Sequence, residues 1–113
     1  MNEFEGWVPQ LRKGFAELLV LLVLAREEHY GYRIVAELKK LGDLVSGEAT
    51  VYPVLKRLEA NGSLASHWVV EEVGPPRKYY AITDQGRVFL TRALAEWDKT
   101  AGAVNTLREA CDE

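Results

Sequence analysis

The sequence is poor in residues that staple a fold or carry out catalysis. Its single cysteine, Cys111, excludes an intrachain disulfide. One thiol near the C-terminus suits a reducing compartment. It reads as an inert side chain, with an interchain link or a redox sensor as the alternatives. Only two histidines are present, His29 and His67. Neither stands at ligand spacing from Cys111 or a carboxylate, so no metal is expected, and nothing calls for a cofactor. There is no nucleophile elbow and no phosphate-cradling glycine loop, so an enzyme is not expected. The longest apolar run, Leu18 to Ala25, has eight residues, far short of the roughly 20 that span a bilayer. The first residues, Met1 to Glu5, are acidic and lack the basic start of a secretory signal, so a cytoplasmic location is expected. Positive charge is not in excess either, since the net charge is −3. That balance does not advertise a nucleic-acid partner. It leaves one open, because charges are screened beyond about 8–10 Å and a local basic face is what counts.

What is present describes a soluble domain. Apolar residues make up 48% of the 113 positions and charged residues 27%. That excludes disorder and suits one hydrophobic core. The first strong periodicity starts near Gln10: Leu11, Phe15, Leu18, Leu19 and Leu22 mark one helix face, and Val20, Leu21, Val23 and Leu24 fill the others. This is the pattern of a central helix packed on several sides, ending between Glu27 and His29. Ahead of it, Phe4, Trp7 and Val8 form a short amphipathic piece.

A second helix opens at Gly31-Tyr32, with Ile34, Val35, Leu38 and Leu41 inward and Gly42 as its left-handed terminator. After a turn over Asp43 to Gly47, a third helix runs to Asn61-Gly62, with Val51, Val54, Leu55 and Leu58 inward. Ser46 or Thr50 would cap it. Pro53 places its start close to Thr50, or marks a kink if it starts at Ser46. Leu64 to Val70 and Lys78 to Ile82 are rich in β-branched and aromatic residues. Between them, Gly74-Pro75-Pro76 makes a hairpin tip.

Thr83-Asp84 then caps a last helix that continues to about Cys111. In it Leu90, Trp97, Val104 and Cys111 are seven apart, with Leu94 and Ala101 four residues after the first two. A sustained seven-residue apolar repeat marks packing of helix on helix. At 1.5 Å per residue this helix is roughly 42 Å long and must project past its own domain. A second copy of the chain is the simplest partner for the stripe Leu90, Leu94, Trp97, Ala101 and Val104. The expected fold is mainly α with a small β-hairpin: a winged helix-turn-helix over residues 1–82 and a dimerisation helix over 83–113.

In that order of elements the third helix is the one aimed at the DNA major groove. Its outward residues are Thr50, Tyr52, Lys56 and Arg57. Lys56 and Arg57 suit phosphates or guanine edges, Thr50 a base or a thymine methyl, and Tyr52 a sugar or phosphate. Glu48 and Glu59 on the same helix would repel phosphate if placed close to it. Arg77 and Lys78, at the base of the hairpin tip, suit the backbone or the minor groove. Basic residues on a solvated face have a blander reading too. The rival class is a winged-helix protein-interaction module that never touches DNA.

Three runs narrow the choice: Tyr30-Gly31-Tyr32-Arg33-Ile34, Glu48 to Gly62, and Pro76 to Gly86. Together they resemble the PadR family of transcriptional regulators, over roughly Leu11 to Trp97. The short C-terminal region is similar to the compact subfamily with one long dimerisation helix. The resemblance implies a homodimeric repressor that binds double-stranded DNA at an operator, often beside its own gene, and releases it on sensing a small molecule. Wings of this family often carry a further basic residue before the Arg-Lys pair, where this chain has Pro75-Pro76. The resemblance also implies a role for Trp97, because an aromatic at this helix position lines a ligand pore in some members. Two indoles facing each other across a two-fold axis sandwich a flat apolar effector, with Phe15, Phe89 and Trp7 nearby. The alternative is that Trp97 fills the dimer core.

Overall fold

A computed structural model describes residues 2–45 and 47–112. Five helices and a small antiparallel sheet follow in the order α1 (Glu3–Arg12), α2 (Phe15–Arg26), β1 (His29–Tyr30), α3 (Gly31–Lys39), α4 (Glu48–Ala60), β2 (Leu64–Val69), β3 (Arg77–Ile82) and α5 (Asp84–Asp112). The fold is the expected winged helix with a long final helix. The wing is larger than expected, because β1 pairs with β3 (His29 with Tyr80, Tyr30 with Tyr79) and makes a three-stranded sheet of order β1-β3-β2. Arg77, expected at the base of the tip and ahead of the strand that begins at Lys78, starts β3 opposite Val69.

The helix expected to start near Gln10 is broken in two. Asn2 caps α1, its side chain accepting from the Glu5 N–H at 2.8 Å. The chain then turns at Lys13-Gly14, where Gly14 takes φ +91, a conformation that costs glycine little. The break rotates α2 relative to α1, so the faces read as continuous are not. Leu11 and Leu22 are exposed, and Val20, Leu21 and Leu24 are the buried residues of α2. They meet Ile34, Val35 and Leu38 of α3 and Val51, Val54, Leu55 and Leu58 of α4 in one cluster, which Leu64, Tyr80 and Leu90 close. Leu41 is outside it. The second helix ends at Lys39, and Gly42 at φ +87 turns the chain away, its N–H bonded to the Lys39 carbonyl at 3.1 Å.

Helix α4 starts at Glu48 with Gly47 in the cap position; the Thr50 and Val51 N–H groups both bond the Gly47 carbonyl. Thr50 therefore lies inside the helix and does not cap it, and Ser46 lies outside the described residues. Pro53 falls in the second turn, where it removes one intrahelical bond. The helix ends as Asn61-Gly62 suggests. Gly62 (φ +84) donates to the Glu59 carbonyl and Ser63 to that of Leu58, a paired termination that satisfies two end carbonyls.

The start of α5 is stitched to this end of α4. The Thr83 hydroxyl accepts from the Gly86 N–H at 3.0 Å and donates to the Gly62 carbonyl at 2.6 Å. The Thr83 N–H bonds the Ser63 carbonyl, and the Gln85 amide that of Asn61. From this anchor α5 leaves the domain. The chain extends 61 Å along its longest axis, with a radius of gyration of 16.7 Å. A compact chain of this length would have about 13 Å. Among the described residues no helix is long and apolar enough to cross a membrane.

Candidate nucleic-acid interface

Burial of Val51, Val54, Leu55 and Leu58 fixes which way α4 faces. At 100° per residue, Ala49, Pro53, Lys56 and Ala60 lie opposite that stripe. All four are exposed. Tyr52 and Glu59 form the flank toward the wing. Thr50 and Arg57 form the other flank, toward α1 and α2. The residues expected to contact DNA thus occupy three different places on one helix.

Lys56 stands on the outward ridge and, among the described residues, forms no ion pair. Arg57 reaches back to the Glu17 carboxylate of α2. Thr50 is half-buried beside Val8, Arg12 and Ala16. Tyr52 leans on the start of α3. A β-carbon on Gly31 would fall 2.6 Å from its ring and 3.1 Å from its hydroxyl. This explains the glycine of the Tyr-Gly-Tyr run in terms of packing: only glycine lets the ring approach this closely. Burial, followed by the nearby Glu48 and Tyr80, raises the Tyr52 pKa above its ordinary value of 10.0, so the hydroxyl keeps its proton.

Tyr52 shares a groove of about 490 Å³ with Tyr32, Trp68, Tyr80, Arg77 and Lys78. Both wing cations reach this groove, and both have partners within the chain. Arg77 lies 4.4 Å from the centre of the Tyr30 ring and 4.0 Å from Glu71. Lys78 donates to Glu59 at 3.2 Å and sits 5.3 Å from the Tyr80 ring. Sequence reasoning missed Tyr30, Tyr32, Trp68 and Tyr80 as groove residues. The Tyr30-Gly31-Tyr32 run was the available signal, and its partners come from strands far along the chain.

The second expected site is on α5. Trp97, 42% exposed, meets Phe15 of α2 edge to face, with ring centres 5.3 Å apart. Phe89 lies two turns earlier and lines a groove with Leu18, Arg57 and Leu58. Trp7 is exposed on α1 and belongs to none of the aromatic pairs. The seven-residue stripe divides. Leu90, 7% exposed, is in the core of its own chain, and Leu94 packs against it. Farther out, Val104 and Leu107 are 51% and 73% exposed. Cys111 is exposed. Among the described residues no group of three or more His, Cys, Asp or Glu could hold a metal.

Residues 20–92, which carry the outward face of α4 and the aromatic wing groove, match a family model described as the transcriptional regulator PadR-like family. The chain belongs to the PadR-like family of transcriptional regulators. Its function class is DNA-binding regulation of transcription, and its family and fold are those of regulators and not of enzymes. A transcriptional regulator of Mycobacterium tuberculosis is 38% identical over 90 residues, which are 77% of this chain and 82% of that protein. The crystal structure of a PadR-like regulator from Bacillus cereus superposes with a TM-score of 0.77 at 34% identity, covering 87% of this chain and 95% of that one. That of a PadR family regulator from Eggerthella lenta gives 0.76 at 38% identity, covering 92% and 87%. The matched segment runs from mid-α2 to early α5, so it contains both α4 and the wing.

Proposed function

We propose that this PadR-like chain is a ligand-responsive repressor that grips a pseudo-palindromic operator as a homodimer. Residues 1–82 would serve as the DNA-binding head and 83–113 as the dimerisation helix. The observation that carries this reading is the outward face of α4, with Lys56 on its ridge, Tyr52 and Arg57 on its flanks, and the wing beside it. Lys56 faces phosphates or guanine edges, Thr50, Tyr52 and Arg57 border it, and Arg77 and Lys78 belong to the wing beside them.

The dimer reading is supported by the outer half of α5, where Ala101, Val104 and Leu107 continue the stripe of Trp97 past the protomer's own core. Exposed apolar residues on a projecting helix are stabilised by a second copy. Trp97 and Phe15, with Phe89 along the same helix, would receive a small planar aromatic effector. An effector that binds one spacing of the two heads better than the other shifts operator affinity by that difference in binding.

The test is a titration of the duplex upstream of the gene, and of a random duplex, at several salt concentrations. A repressor binds the upstream duplex more tightly, and its affinity falls steeply with salt. Equal affinity for both duplexes, or a flat salt dependence, would leave the protein-interaction module as the better reading.

A further inference from the structure

The recognition helix and the wing are joined by one carboxylate. Glu59, in the last turn of α4, accepts from the Lys78 ammonium of β3 at 3.2 Å with one oxygen and from the Ser66 hydroxyl of β2 with the other. It therefore ties α4 to both strands of the hairpin. All three side chains are half-buried. Tyr80, directly across the ladder from Ser66, is in the core, and the Lys78 ammonium sits near its ring. The Glu59 carboxyl is held below its ordinary pKa, first by the Ser66 hydroxyl and then by Lys78. Lys78 is held above its own ordinary pKa, first by Glu59.

We infer that Glu59, Ser66 and Lys78 form a clamp that sets the angle of the wing against the recognition helix, and that Lys78 acts on DNA through this clamp and not as a phosphate contact. The inference rests on the DNA-binding reading above and assigns the wing lysine a positioning role within it. It also accounts for a carboxylate so close to the proposed DNA face. Glu59 points at the wing and spends its charge on Lys78, so it does not repel phosphate. The other wing cation is similarly engaged, with Arg77 facing Glu71 and Tyr30. The hairpin then works by shape and fixed orientation, which suits a tip whose remaining charge is that of Glu72.

A double-mutant cycle on the full chain tests this, with Glu59→Gln, Lys78→Met and the pair combined, each titrated with the upstream duplex across a salt series. For a clamp, each single change weakens binding about tenfold and the combination weakens it no further. The slope of log affinity against log salt stays that of wild type. For a phosphate contact, Lys78→Met flattens that slope by about 0.9 while Glu59→Gln leaves affinity unchanged or improves it, and the clamp is refuted.

A DNA-free arm separates failure of the clamp from failure of the DNA reading. In a Trp7→Phe, Trp97→Phe background, Trp68 is the remaining indole, and it lies across the ladder from Lys78. Acrylamide quenching of Trp68 should rise equally in Glu59→Gln, in Lys78→Met and in the combination, and Lys78→Arg should restore it. Quenching that stays at the wild-type value, or that adds up in the combination, overturns the clamp whatever the DNA titration gives.

Discussion

Replacing Gly86 by alanine should destabilise the protein severely, although the position is helical and alanine is the better helix former. A β-carbon there would lie 2.1 Å from the Ser63 carbonyl oxygen and 2.8 Å from Ile82 Cγ1. The first of these is backbone, so no side-chain rotation relieves the clash. Helix α5 would have to withdraw by about 1 Å to restore van der Waals contact. Withdrawal strains the stitch between the α4 terminus and α5: Thr83 N–H to the Ser63 carbonyl at 3.0 Å, the Thr83 hydroxyl to the Gly62 carbonyl at 2.6 Å, and the Gln85 amide to the Asn61 carbonyl at 2.7 Å. Losing two such bonds costs about 2 kcal/mol, and overpacking adds about 1–3 kcal/mol. Helix propensity returns about 1 kcal/mol. The net loss is about 2–4 kcal/mol, or a fall in Tm of roughly 8–17 °C for a chain this size. The assay is thermal unfolding by circular dichroism at fixed protein concentration, since a dimer makes Tm concentration-dependent. Gly102→Ala is the control. Its β-carbon meets nothing within 4 Å, so the same change should raise stability by about 0.5–1 kcal/mol. A Gly86→Ala variant as stable as Gly102→Ala would refute the close approach of α5 to the turn that ends α4.

Lys56→Ala should weaken DNA binding about tenfold or more, with the unfolding transition unchanged and the salt slope flatter by about 0.9 if the contact is to phosphate; wild-type affinity would displace α4 from the interface. Glu17→Gln should release Arg57 for DNA, steepening the salt slope while costing at most about 1 kcal/mol of stability, because the pair is partly exposed; an unchanged slope means that Arg57 does not reach phosphate. A planar aromatic effector should quench Trp97, and Trp97→Ala should lose that ligand; unaltered ligand affinity in the variant removes Trp97 from the site. Glu59, whose carboxyl titrates below its ordinary 4.5 in the folded chain, contributes stability above that pH and loses it as pH falls through the folded value. Urea unfolding of Glu59→Gln should therefore show a shallower loss of stability below about pH 4.5 than wild type, and identical acid limbs would contradict the hydrogen bonds assigned to that carboxylate.

Local chemistry in the sequence was enough to place α4, the hairpin and the start of α5. Asn61-Gly62, Gly74-Pro75-Pro76 and Thr83 act on the backbone within a few residues of where they stand. The break at Gly14 was hidden because glycine inside an apolar repeat is compatible with an unbroken helix, and periodicity alone joins the two sides. Strand β1 has two residues and exists only by pairing with β3, some 50 positions later. The same distance limit applies at the site. The inward stripe of α4 put Lys56 on the outward face, while Thr50, Tyr52 and Arg57, also expected there, lie on the two flanks. The partners that decide what each cation does were not readable: Glu17 for Arg57 is 40 residues away, and Glu59 for Lys78 is 19. Leu90 looked like a dimer contact because a seven-residue repeat does not say which helix it packs against. In the folded chain its neighbours include α2 of its own protomer.

The most direct measurement of the central claim is a hydroxyl-radical footprint of the protein on the duplex upstream of its gene. A homodimer reading through α4 protects two patches on one face of the duplex, about 10 bp apart or a multiple of that, related by the operator's two-fold symmetry. A single asymmetric patch would contradict the dimer, and uniform protection or none would contradict operator recognition by α4.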